Sequence, residues 1–305
     1  MYQSDQSRRK GYSRRILGIK GRPLANIELV SARTSDGVKL DGVMFWNAEK
    51  ELTPPVGLVF VHGVAHNFYN TPLRYFAEHL ADDGYRTIVM NTRGHDWISE
   101  SPKGASLMGA AFELMEHSLL DLDAFLGFLE EKGLQRIGLV GHSLGAAKVI
   151  EYQSKRKRNS VKAVISCSCA ELSYDERHQK FENFDEIHSD AEWMVNEKRP
   201  EEIFRLKRLD GTTNFYSART LIDKYGPNDK ANALRHVRSI TCPILLLSGK
   251  EESRLNRFSK RLYDEAKDGM KTIFDIAGAD HYYEGHEDEM KKIMSDWLEL
   301  NLMRQ

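Results

Sequence analysis

Cysteine is scarce in this chain: Cys167, Cys169 and Cys242 are the only three in 305 residues. So sparse and odd a set argues against a disulfide framework and fits a reducing compartment. Cys-x-Cys at 167–169 is too short and isolated for a zinc site, and reads as small apolar residues ending a buried strand. An excess of one charge is missing as well. Lys and Arg number 44 against 45 Asp and Glu, a net charge of −1, so nothing global points to nucleic acid or an anionic membrane. No apolar run approaches the length of a membrane span, and the N-terminal segment lacks the apolar core of a secretory signal. No internal repeat is visible. What remains, at 41% hydrophobic and 29% charged residues, is an ordinary globular composition, expected in the cytoplasm. The length suits one large α/β domain carrying an insertion.

One segment is locally biased. Residues 1–25 hold Arg8, Arg9, Lys10, Arg14, Arg15, Lys20 and Arg22 against the single acid Asp5. The Arg and Ser content would suit a mitochondrial-type presequence, but Gly11, Gly18 and Gly21 weaken its helix. A solvated arm, or one that packs on a partner, is the preferred reading.

Beyond the arm, "ANIELVSAR" and "VKLDGVMFW" alternate polar and apolar residues around "TSDG", which predicts a hairpin of half-buried strands. "VGLVFVHG" (56–63) is continuously apolar, as for a strand covered on both faces. Another short buried strand is read at 86–91, and further strands at 136–141, 161–169, 242–249 and 271–278. Helical patterns separate them. Leu73, Phe76, Ala77 and Leu80 share one face; Met115, Leu119, Leu122, Leu126 and Leu129 share another. A helix over 144–156 and a last one over 286–302 complete the series. Alternating strands and amphipathic helices imply βαβ units and a mainly parallel sheet with helices on both faces. Residues 171–235 interrupt the rhythm with charge, helical patches and no strand signal, which predicts a helical cap over the strand ends. The core is then 26–170 and 236–305.

The chemistry centres on "LVGHSLGAAK" (139–148), where a buried strand turns into a helix at Ser143. A sharp strand–helix turn strains the serine backbone and lifts Oγ above the sheet, with Gly141 and Gly145 avoiding collisions across the turn. A serine hydroxyl needs a base, and the base an orienting acid. Of eleven histidines, His281 follows the last strand at the end where ligands collect in parallel sheets. His286, His66 and His95 are weaker alternatives. His142 is expected to pack against the sheet and His62 to be a hydrogen-bonded structural residue. The acid falls after another strand in "SGKEES", with Glu252 preferred and Glu251 the alternative. Two backbone donors complete an oxyanion hole: Leu144, and Val64 in "HGVAHN". Phe68, Tyr69, Trp97 and Tyr282, with Trp193 and Met194 from the insertion, are candidate walls of an apolar substrate site.

In this order "HG" (62–63), "NTRGHD" (91–96), "GHSLG" (141–145), "SGKEE" (248–252) and "GADH" (278–281) resemble the α/β-hydrolase superfamily over residues 56–302. The resemblance implies an eight-stranded, mostly parallel sheet, a triad at Ser143, Glu252 and His281, and a cap at 171–235. Two departures stand out: a Glu where Asp is usual, and Asn91 where similar sequences often carry Asp. The superfamily does not fix the reaction. The expected activity is hydrolysis of a carboxylic ester or thioester, with no metal and no cofactor. Alternatives are an acyl transferase or thioesterase on an acyl carrier met by the basic arm, an amidase or peptidase, and a non-catalytic ligand-binding protein.

Overall fold

The computed structural model describes residues 25–101, 107–176 and 179–303. Almost all of the basic arm therefore lies outside the described residues. The hairpin around "TSDG" pairs β1 (Asn26–Arg33) with β2 (Lys39–Trp46), antiparallel, with Ala32 opposite Leu40. The remaining strands of the main sheet are β3 (Val56–Val61), β4 (Arg86–Met90), β7 (Arg136–His142), β8 (Val161–Cys167), β11 (Ile244–Gly249) and β12 (Lys271–Ile276). Their order is β1-β2-β4-β3-β7-β8-β11-β12, and every pairing from β4 to β12 is parallel. The expected eight-stranded, mostly parallel sheet is present.

Side chains alternate across this sheet with the strand period of two. Leu58 and Phe60 of β3 face one layer, packing with Leu73 and Phe76 of α1 (Leu73–Ala81) and Met294 and Trp297 of α8 (Glu287–Leu298). Val59 and Val61 face the other, with Leu122 and Phe125 of α2 (His117–Glu131) and Val149 of α3 (Leu144–Arg156). The same layer includes Val237 of α6 (Leu234–Val237) and Phe258 of α7 (Ser253–Glu265). Two helix boundaries differ from the apolar spacing. Met115 precedes α2 and joins the cap cluster, and α8 ends at Leu298, giving way to a π turn over Glu299–Met303.

The insertion corrects one expectation. It holds helices α4 (Phe184–Asn196) and α5 (Ala218–Tyr225), but between them runs an antiparallel hairpin, β9 (Ile203–Lys207) with β10 (Thr213–Ser217). "DG" at 210–211 was the available turn signal: Asp210 Oδ1 accepts the Thr212 N–H at 3.0 Å and its hydroxyl at 2.6 Å. Arg205 and Lys207 mask the apolar face that Phe204 and Leu206 give β9. A second ladder, β5 (Ser99–Glu100) with β6 (Leu107–Met108), also had no anticipated counterpart. Leu206, Tyr216, Leu221 and Phe184 of the cap close over Leu144 and Met115 of the core in one cluster. Among the described residues no helix is long and apolar enough to cross a membrane.

Candidate active site

Ser143 is the single residue between β7 and α3, and its backbone sits at φ 56°, ψ −119°. This conformation is costly for a residue with a Cβ and persists only where its surroundings enforce it. Here they do: a Cβ on Gly145 would lie 2.1 Å from the Val61 carbonyl oxygen, so the start of α3 presses directly on β3. A Cβ on Gly63 would stand 3.0 Å from that of Ser143, so the loop after β3 passes equally close. Ala65, Asp96, Ser168 and Tyr283 also have positive φ, and each lies in a loop after a parallel strand, at this same end of the sheet.

His281 follows β12, and its Nδ1 lies 2.5 Å from Glu252 Oε1. Glu252 follows β11 and is anchored by the Gly249 N–H on Oε2 at 3.1 Å and by the Ser168 hydroxyl. Glu251 is exposed, its N–H donating to the Ala279 carbonyl at 3.1 Å and so tying the β11 loop to the β12 loop. Of the two carboxylates left open by the sequence, the one that meets the imidazole is Glu252. Because Glu252 accepts the Nδ1 proton, Nε2 carries the lone pair. Ser143 Oγ and His281 are not hydrogen-bonded to each other. The Val64 and Leu144 N–H groups have no hydrogen-bond partner among the described residues.

His142 does more than pack. Its Nε2–H donates to the His281 carbonyl at 2.7 Å, and the two rings lie 4.7 Å apart. Burial pushes His142 well below the ordinary imidazole pKa, the nearby His281 adding to the shift, so it stays neutral. His66 stacks on it at 6.5 Å and is also shifted down by burial. His95 instead pairs with Asp96 at 2.7 Å. His62 is structural as expected: Nδ1–H donates to the Gly63 carbonyl at 2.8 Å, and Nε2 accepts the Thr92 N–H at 3.1 Å. Burial pushes its pKa down to about 3. Asn91 now has a role too. Its Oδ1 accepts the Phe68 N–H at 2.7 Å, tying the loop after β3 to the end of β4.

The six expected wall residues separate. Trp97 and Met194 join Val64 and Leu144 in the cap cluster, where Trp97 meets Phe215 at 5.7 Å and Tyr216 at 6.3 Å. Tyr282 lies 5.2 Å from the His281 ring. The other three do not gather there. Phe68 packs with the cluster of α1 and α8, Tyr69 is 71% exposed under Arg74, and Trp193 is 54% exposed. On α4 it is the neighbouring Met194 that turns inward, which one-residue helical offsets decide and composition does not. Phe204 and Tyr216 of the unexpected hairpin belong to the same cap cluster and Phe215 packs edge-on against Trp97, while Ser168 and His142 are the polar contacts that sequence reasoning missed.

A parallel sheet with a strained serine at a strand–helix turn, and a histidine–carboxylate pair on adjoining loops, defines a hydrolase of the α/β class. The chain belongs to the α/β hydrolase family, whose sequence signature matches residues 58–293. Solved structures agree on the fold. The ferulic acid-bound Est1E of Butyrivibrio proteoclasticus is 17% identical, covers 90% of this chain and 100% of its own, and superposes with a TM-score of 0.64. The α/β hydrolase GrgF of Penicillium sp. sh18 is 15% identical over 91% of this chain and 99% of its own, with a TM-score of 0.67. The Pyrococcus furiosus esterase Pf2001 is 18% identical over 91% and 92%, with a TM-score of 0.58. No curated sequence matches the chain.

Proposed function

We propose that this hydrolase cleaves a carboxylic ester or thioester through an acyl-enzyme on Ser143. The observation that carries the reading is the Glu252–His281 hydrogen bond at 2.5 Å, on the loops that flank the strained serine. Ser143 Oγ attacks the carbonyl carbon while His281 Nε2 takes its proton. The tetrahedral oxyanion is held by the N–H groups of Val64 and Leu144, each worth about 3 kcal/mol in sites of this type. The bond to the leaving oxygen or sulfur then breaks, and His281 returns the proton to it. Water, deprotonated by His281, repeats the sequence and releases the acid. Glu252 fixes the tautomer and stabilises the imidazolium.

Trp97, Phe215, Tyr216 and Met194 beside Leu144 favour an apolar or aromatic acyl group. Est1E, which shares the fold, has been solved with ferulic acid, an aromatic acid. A cytoplasmic setting and a cap spanning 171–235 belong to the same reading. Hydrolysis of a panel of short, long and aromatic p-nitrophenyl esters by wild type and Ser143→Ala tests it. Turnover by wild type that disappears in Ser143→Ala is expected; equal turnover by both rejects the assignment. Transfer from an acyl carrier is the alternative, resting on the basic residues of the arm. Such a reaction falls steeply with ionic strength, whereas hydrolysis of a small neutral ester does not.

A further inference from the structure

Behind the Glu252–His281 pair stand two buried hydroxyl groups that this reaction has not yet used. Ser168 follows β8 at φ 45°, and its N–H donates to the Leu247 carbonyl at 2.7 Å. Its Oγ bonds Glu252 Oε2 and lies 2.5 Å from the hydroxyl of Tyr283, a residue at φ 57° that is wholly buried. The directions follow from the donor inventory. An ionised carboxylate only accepts, so the Ser168 proton points at Glu252. Ser168 then has only lone pairs to offer, so the phenol donates to it. Burial raises the Tyr283 phenol well above its ordinary value, which keeps that donor protonated. The result is a one-way chain, Tyr283 O–H to Ser168 O–H to Glu252 Oε2, with Oε1 left for His281.

Two features make this more than incidental packing. Ser168 and Tyr283 both hold backbone conformations that residues with a Cβ seldom adopt. Those conformations bring the loop after β8 onto Glu252 Oε2 and the loop after β12 onto the Ser168 hydroxyl. Glutamate also has one more rotatable bond than aspartate, so its carboxylate needs more fixing to present a single oxygen. Gly249 N–H and Ser168 Oγ–H together occupy Oε2 and leave one orientation.

We propose that Ser168, and Tyr283 through it, are positioning residues that lock the Glu252 carboxylate so that Oε1 faces His281. The inference rests on the hydrolase reading above. The test uses the full chain as wild type, Ser168→Ala and Tyr283→Phe. Three quantities are read: the rate of labelling by a fluorophosphonate, kcat and KM for p-nitrophenyl acetate, and the downfield proton resonance of His281 Nδ1–H. Losing a hydrogen bond to a charged group predicts labelling and kcat lower by roughly tenfold or more in Ser168→Ala, with KM nearly unchanged. The resonance moves or broadens. Tyr283→Phe shifts all three in the same direction by less. If Ser168→Ala does not fold, Tyr283→Phe decides by the same readouts. A labelled wild type, with folded variants that match it in rate and resonance, overturns this inference alone. A wild type that takes no label overturns the hydrolase reading and this inference with it.

Discussion

Replacing Glu113 by Gln removes one charge from a buried place where three meet. Glu113 Oε2 lies 2.6 Å from Lys148 Nζ of α3, and Oε1 lies 2.9 Å from Lys224 Nζ of the cap helix α5. All three side chains are at most 2% exposed. Lys148 also donates to Thr92 Oγ1 at 3.1 Å, and Lys224 to the Ala110 carbonyl at 3.2 Å. The Lys224 ammonium stands 5.0 Å from the centre of the Tyr216 ring. Without the carboxylate, two buried ammonium groups keep only neutral acceptors. Breaking a buried pair in this way costs about 3–5 kcal/mol. Unfolding entropy of about 2.1 cal/mol/K per residue makes each kcal/mol worth about 1.6 °C in a chain this long, so Tm should fall by about 5–8 °C. Because α5 carries one of the lysines, the cap should loosen first, seen as faster amide exchange in α4 and α5 than in β3 or β7. The pH dependence has a definite sign. Burial alone would raise the Glu113 pKa, but Lys148 and Lys224 outweigh it and hold it at about 2, against an ordinary 4.5. A carboxylate depressed by folding stabilises fully above its unfolded pKa and progressively less as pH falls toward its folded one. The Tm gap between wild type and Glu113→Gln should therefore be constant above about pH 5.5 and shrink between pH 4.5 and 2. A variant melting within about 1 °C of wild type at neutral pH would refute the argument, because the ammonium groups would then have found water or another partner.

Two further predictions concern the site. Glu252→Gln should lower kcat by about a hundredfold or more through loss of the tautomer lock, while Glu251→Gln changes it by less than about twofold; ester turnover at neutral pH distinguishes them. Trp97→Ala opens the apolar cluster between Phe215 and Leu144, and should cut kcat/KM for an aromatic ester roughly tenfold while sparing acetate esters; a panel differing only in the acyl group checks this.

The middle of the sheet was legible because its strands are largely apolar, buried runs separated by helices of clear period. Val56–Val61 and Ile244–Gly249 have no polar face to confuse the reading, and both are buried throughout. Ser143 was legible because its neighbours are dictated by sterics: Gly63 and Gly145 stand where a Cβ would meet backbone or the serine itself. The cap was not. Its hairpin has a lone Asp-Gly turn as signal, and its strands carry Arg205 and Lys207 toward solvent. Which of Trp193 and Met194 faces inward depends on how α4 is rotated, a property of packing against α5 that local sequence does not contain. The Glu251–Glu252 choice had the same character. Adjacent residues of a loop point in different directions, and only the approach of the β12 loop selects one. The Ser168 and His142 contacts needed loops from distant strands to be placed first.

The central claim is that Ser143 is an activated nucleophile. Intact mass followed by peptide mapping after fluorophosphonate treatment, on wild type and Ser143→Ala, tests it most directly. The account predicts one adduct per wild-type chain, mapped to Ser143, and none on Ser143→Ala. A folded wild type that stays unmodified, or an adduct on another residue that persists in Ser143→Ala, would contradict it.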